Sequence, residues 1–191
     1  MKYFHFLPVC IYMFFAVASV SLAQKDTLNI SDSKGLKQGK WIGKYESGKK
    51  RYEGSFKDNN PTGVFIYFYE SGEKNAEMIF SENGKKAKAK YFHLNGMMMG
   101  KGDYFVQKKD SAWLYYDDRE ILSKEENYKD GKMEGISKVF YLDGSIAEEK
   151  NRKNNVEHGL YKQFFQGGKL KYEANYVDGN PDGKVNYYHP N

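Results

Sequence analysis

Five glutamates, Glu53, Glu77, Glu125, Glu149 and Glu173, fall at steps of 24 residues or a multiple of it. Paired carboxylates are the working groups of glycosidases, which hold them roughly 5–10 Å apart. Neighbouring members would lie about 10 Å apart, within reach of that geometry, but a column repeated five times is what a structural position looks like. Catalysis is therefore not expected from these residues, and none is assigned as catalytic. His93 and His189 share one position of the same 24-residue frame. If each frame step contributes two adjacent strands, they stand roughly 38 Å apart, too far for one metal, and His158 is at another position. No Gly-x-Ser-x-Gly elbow and no strand–loop–helix phosphate cradle is present. No metal and no cofactor is expected.

The remaining chemistry lies in rings. Aromatic residues make up 17% of the chain, enough to line a surface. Trp41, Tyr45, Phe65, Tyr69, Trp113, Tyr141, Tyr161 and Phe165 form the candidate contact set, able to stack on sugar rings or anchor a protein. The competing reading is that these rings pack on one another and stand in for a missing core.

What positions them is a lattice. Gly39, Gly63, Ala87, Ser111, Gly135, Gly159 and Gly183 are spaced 24 residues apart, and nine residues beyond them come Gly48, Gly72, Gly96, Glu120, Gly144 and Gly168. A fixed period of this length marks repeated supersecondary units. Each unit holds two short strand-like runs and two turn signals. Ser47-Gly48, Asn95-Gly96 and Asp143-Gly144 mark the first turn, and Asp58-Asn59, Asp130-Gly131 and Asp178-Gly179 the second. Such dipeptides supply the φ > 0 residues of tight hairpins, and glycine recurs too often for helices between them. The expected fold is all-β: an elongated, single-layer antiparallel meander of 24-residue hairpins. It comprises a half-repeat over 24–38, six repeats over 39–182 and a terminal strand over 183–191. About fourteen strands at ~4.8 Å would extend roughly 60–65 Å.

On the first strand of each unit the fifth residue past the anchor is aromatic in Phe68, Phe92, Tyr116, Phe140, Phe164 and Tyr188. The third unit departs most. Ala87 replaces the glycine, Met97, Met98 and Met99 replace a Lys-rich start, and Gly100 and Gly102 enter the strand. Irregularity or mobility is expected over 97–110.

Residues 1–23 carry the pattern of a secretory signal. A basic start at Lys2 precedes the apolar run from Phe6 to Val20, and Ser21-Leu22-Ala23 offers a cleavage site. Cleavage after Ala23 would start the mature chain at Gln24 and discard Cys10, the single cysteine, leaving strand pairing and packing to hold the fold. Removing Lys2 from 30 Lys+Arg leaves 29, and against 25 Asp+Glu the mature charge is +4. That balance is mild and dispersed, so a nucleic-acid partner is not expected.

Gly-x-Trp-x-x-x-Tyr-x-x-Gly at 39–48, Gly-x-Phe-x-x-x-Tyr-x-x-Gly at 63–72 and Tyr-x-Asp-Gly-x-x-x-Gly at 128–135 and 176–183 resemble the MORN repeat variant, found in YwqK-type antitoxins. The resemblance implies a hairpin-repeat scaffold that engages membranes, lipids or protein partners, and the antitoxin label implies a protein toxin as partner. The expectation is an exported, non-enzymatic scaffold in a bacterial envelope (periplasm, outer-membrane surface or secreted) that binds a protein. The alternatives are a glycan- or lipid-binding module using the ring stripe, and an antitoxin retained in the cell.

Overall fold

A computed structural model describes residues 27–190. The signal-like segment, Cys10 and Gln24 lie outside the described residues. Fifteen strands follow one another: β1 (Ile30–Ser31), β2 (Lys37–Lys44), β3 (Lys50–Lys57), β4 (Asn60–Phe68), β5 (Lys74–Ser81), β6 (Lys86–Phe92), β7 (Met98–Phe105), β8 (Lys108–Tyr116), β9 (Leu122–Lys129), β10 (Lys132–Met133), β11 (Gly135–Phe140), β12 (Ile146–Lys153), β13 (Val156–Phe164), β14 (Leu170–Val177) and β15 (Asn180–Tyr187). Each pairs antiparallel with the next in one open sheet, except that β10 and β11 both pair with β9. Those two are halves of one strand divided at Glu134, whose amide still donates to Asn127 O at 2.9 Å. The all-β meander read from the lattice is the fold observed, and no helix occurs among the described residues.

The anchor positions turn out to be bulges. Gly39, Gly63, Ser111, Gly135, Gly159 and Gly183 all have φ between 59° and 100°, and pairing slips by two residues at β3–β4, β7–β8, β12–β13 and β14–β15. An extra residue in the left-handed region is what a β-bulge needs, and glycine adopts it without a Cβ penalty. Ala87 does not take positive φ, and β5 pairs with β6 without a slip. The two spare residues move into the turn, which has four residues between Ser81 and Lys86 where Lys57 and Asn60 enclose two. Elsewhere the second turn has two residues at positive φ, such as Asp58 and Asn59, whereas here Glu82, Asn83 and Gly84 are all positive between Ser81 and Lys86. The 24-residue count is thereby preserved without the bulge.

Within 97–110 the expected irregularity falls in the turn and not in the strand. β7 runs unbroken from Met98 to Phe105 through Gly100 and Gly102. The strain sits just beyond it, at Val106 with φ 46° and Gln107 with φ 62°. A β-branched residue there is an outlier. The turn is also out of step: Val106 donates to Lys85 O, 21 residues back, where Asn59, Gly131, Asn155 and Gly179 reach back 22.

Candidate interaction surface

Register sorts the side chains onto two faces. On the first face three rows cross the strands. One runs Trp41, Gly54, Phe65, Met78, Ala89, Gly102, Trp113, Glu126; the next runs Tyr52, Tyr67, Ala76, Tyr91, Gly100, Tyr115, Lys124. The third includes Phe56, Phe80, Ala87, Tyr104 and Tyr128. Large and small residues alternate, so each ring lies over a neighbour with little or no side chain. A Cβ on Gly54 would sit 2.5 Å from the Phe65 ring, and one on Gly102 would overlap Trp113. These two glycines are close-approach sites and not breaks in the strand.

Rings meet rings across this board. Phe65 packs edge-on against Phe56 and Phe80, each at 5.1 Å between centroids, and Trp113 against Tyr104 at 5.0 Å. Phe65 is 1% exposed and Trp113 2%. Neither has surface to offer a partner, so both leave the contact set because they are the core. Trp41 stacks edge-on with Phe56 and its indole N–H donates to Gln38 O at 3.1 Å. Tyr161, far along the same row, packs on Tyr172 and Tyr176.

The other members of the set lie at the first-turn edge and act as staples. The Tyr45 hydroxyl donates to Phe68 O at 2.6 Å, Tyr69 to Phe92 O at 2.7 Å and Tyr141 to Phe164 O at 2.8 Å. Each ties one unit to the backbone of the next. His93 continues the column, with Nε2 3.3 Å from Tyr116 O. Phe165, at the same position, has no hydroxyl to donate and instead lies 5.7 Å from Lys171 Nζ. The structure thus separates the eight residues into a ring row and an edge column, and brings no single patch together.

From β9 onward the first face changes character. Glu126 is 7% exposed; it accepts from the Tyr128 hydroxyl at 2.6 Å and from Lys124 Nζ at 3.2 Å. Burial alone would raise its pKa, but the hydroxyls of Tyr128 and Tyr115 and the Lys124 ammonium outweigh it and hold the carboxyl below its usual value. Lys109 Nζ lies 4.4, 5.1 and 5.0 Å from the Trp113, Tyr115 and Tyr128 ring centroids and donates to the Tyr115 hydroxyl. Desolvation there lowers its pKa. Further on, Lys150 bridges Glu148 and Glu157 at 3.2 and 3.3 Å, and Tyr161 donates to Glu148 at 2.8 Å.

The second face carries the glutamate column. Glu53 and Glu77 face Ile42 and Ile66, while Glu125, Glu149 and Glu173 alternate with Lys138 and Lys162 on adjacent strands. A charge ladder perpendicular to the strands accounts for the column. Between the charges, Val64, Ile79, Ile136 and Leu160 stand 44–54% bare, at 53%, 46%, 49% and 45% exposed. Sequence reasoning looked for contacts among rings and missed these aliphatics. Val64, Ile136 and Leu160 each occupy the residue after an anchor, a signal that parity could have exposed. No cluster of three or more potential metal ligands occurs among the described residues.

A second omission lies on the first face at the third unit. The lattice places Trp41, Phe65, Trp113 and Tyr161 where this unit has Ala89. An open slot of about 500 Å³ is found in this region, bordered by Tyr67, Met78, Phe80, Ala87, Tyr91 and Tyr104.

No curated protein matches the sequence. Among solved structures, a mutant of S. aureus TarM in complex with fondaparinux, alpha-GlcNAc-glycerol and UDP is similar at 15% identity and a TM-score of 0.38, over 50% of this chain and 19% of that one. A second TarM structure is similar at 17% identity and a TM-score of 0.36, over 49% and 20%. This chain therefore spans about a fifth of TarM's length. Residues 37–58, 133–154 and 157–178 match the MORN repeat variant, each stretch covering one hairpin and starting on the lattice, four steps and then one step apart.

Proposed function

We propose that this chain is an exported, non-enzymatic scaffold of the bacterial envelope that binds a protein partner along the second face of its sheet. The observation that carries the reading is the exposure of Val64, Ile79, Ile136 and Leu160 on the face that also carries the glutamate and lysine ladder. The long-range staples and ring contacts occupy the groups that could otherwise do chemistry. Aliphatics flanked by ladders of both signs suit a partner surface with an apolar centre and a polar rim. MORN repeats are protein and lipid interaction modules, which supports the same class of role. The basic, apolar and small-residue pattern of 1–23 supports export. The YwqK-type antitoxin role requires the chain to stay inside the cell, and a mature terminus at Gln24 in an envelope fraction would remove it.

The test is photo-crosslinking in intact cells from probes at Ile79 and Leu160, with a probe at Tyr91 on the first face for comparison. Adducts are expected from the second face and should disappear in Val64→Asp with Ile136→Asp while the circular dichroism stays unchanged. Adducts from Tyr91 alone, or hydrolysis that depends on one of the column glutamates, would refute the reading.

A further inference from the structure

We propose that the slot on the first face at the third unit is a saccharide-binding site, independent of any partner on the second face. Its origin is the loss of one ring from the lattice. Tyr67 and Tyr91 stand on either side of Ala76 in one row, and Phe80 and Tyr104 on either side of Ala87 in another. Each pair is two strands apart, roughly 10 Å. Between them are Met78 and Ala89, where a ring of the usual kind would have filled the space. Ala87, which lines the slot, is 5% exposed, and Ala76 and Ala89 beside it are buried at 1% and 2%. Rings wall the space, and its 500 Å³ lies within the ~300–1,000 Å³ span of small-molecule sites.

The rim decides the class of occupant. The turns that border the slot contribute four carboxamides, Asn59, Asn60, Asn83 and Gln107, and the lining contains no acid and one cation, Lys85. Three of the four come from second turns that adopt positive φ, where Asn59, Asn83 and Gln107 are held at 65°, 55° and 62°. Asn59 uses its Oδ1 on the Lys37 amide, which leaves Nδ2 open; Asn60 uses Nδ2 on Asp58 O, which leaves Oδ1 open. Asn83 and Gln107 have no side-chain partner among the described residues. A carboxamide both donates and accepts, as a sugar hydroxyl does. An apolar ring face for C–H groups beside a fringe of amides therefore matches a neutral pyranose, which has one apolar face and an equatorial belt of hydroxyls. The hydroxyls of Tyr91 and Tyr104 lie 3.0 Å from each other, and burial keeps Tyr91 protonated well beyond neutral pH. A cation would find no acid in the lining, and an anion would find the single ammonium of Lys85.

The experiment uses the full chain in NMR titrations with cellotriose, maltotriose and chitotriose, and decaproline as a parallel arm. At least one trisaccharide is expected to shift the Tyr67, Tyr91 and Tyr104 ring signals. Asn83→Ala with Gln107→Ala, two exposed positions, should weaken that binding about tenfold or more without moving the fold signals. Tyr187→Ala, which removes a ring 77% exposed at the far end of the sheet, should leave the affinity as it was. The proposal is overturned if no trisaccharide moves those rings or if the double variant binds as well as the parent. It is equally overturned if Tyr187→Ala costs as much, which would mean unspecific stacking, or if decaproline alone binds, which would assign the slot to a peptide.

Discussion

Strands β2–β8 and β9–β13 follow the same backbone plan yet fill the first face with opposite chemistry. In the earlier stretch Phe65 and Trp113 are sealed against other rings. In the later one the corresponding row reads Glu126, Ser137, Lys150 and Tyr161, held by ion pairs and hydroxyl–carboxylate bonds. A hairpin lattice therefore does not require a hydrophobic row. It requires neighbours that satisfy one another across about 4.8 Å, and either rings over glycine or charges of opposite sign will serve. The difference lies in how the two stretches respond to conditions. Ring packing is indifferent to salt and, until its tyrosines ionise at alkaline pH, to pH as well, whereas charge pairing responds to both.

The largest effect that would break the comparison comes from deleting a ring in each stretch. Trp113→Ala removes a side chain that is 2% exposed and should cost about 3–5 kcal/mol, the range for a buried Phe or Trp. Tyr161→Ala takes out a half-buried ring and should cost less than half of that. Urea melts followed by circular dichroism would read both. Equal losses would mean that the ion-paired stretch leans on its tyrosine as heavily as the other leans on its tryptophan.

The sheet, its strand order and its turns were legible because they rest on backbone constraints that leave residues behind. Positive φ at Gly63 or Asp58 demands few residue types, and those types recur. What was not legible was which ring is core. Phe65 lies on β4 and Tyr69 just past its end, yet one is sealed and the other is a staple, because the bulge and the glycine on the preceding strand decide what each ring meets. Gly54 and Gly102 carried that information, but a glycine in a strand reads as a break until a ring is placed over it. The slot was hidden for the converse reason. Ala87 reads as a weakened anchor and Ala89 draws no notice, when what they leave behind is space.

pH should separate the stretches from both ends. Glu126 has its folded pKa below the unfolded one, so its stabilisation is present above about pH 4.3 and is lost as pH falls through the folded value. Acid should loosen β9–β12 first, seen as faster amide exchange there than in β3–β5. At the alkaline end Tyr91 is raised by burial and then by Tyr104, and Tyr161 by burial and then by Glu148. A raised pKa gives stabilisation that is whole below about pH 10 and drains as pH rises toward the folded value. Absorbance at alkaline pH should show both tyrosines ionising late, and Glu148→Gln should bring Tyr161 forward while leaving Tyr91 in place.

Salt gives a smaller and more selective effect. At 1 M the screening length falls to about 3 Å, and exposed pairs are worth about 0–1 kcal/mol each. Lys150 with Glu148 and Glu157, and Lys162 with Glu173 at 3.7 Å, should lose part of their contribution. Hydrogen exchange in β12 and β13 should quicken by a few fold between roughly 0.05 and about 1 M salt, with β4 unchanged. Uniform quickening would show that charge pairing supports the whole sheet.

The least effect sharpens the boundary between the stretches. Val106 sits at φ 46° in the turn joining β7 to β8, where the other units use Asp58, Asp130, Asn154 and Asp178. The left-handed region costs an ordinary side chain about 1–2 kcal/mol, and asparagine tolerates it far better because its short polar side chain bonds locally. Val106→Asn should therefore stabilise the chain by roughly 1 kcal/mol, the lower end of that penalty. The gain should appear as a raised denaturation midpoint with an unchanged slope. Val106 is also 53% exposed, so little buried apolar area is given up in the exchange. A neutral or destabilising result would mean that the valine methyls shield the Lys85–Val106 backbone bond of 2.6 Å. The out-of-step turn would then be held in place by side-chain packing in spite of its backbone.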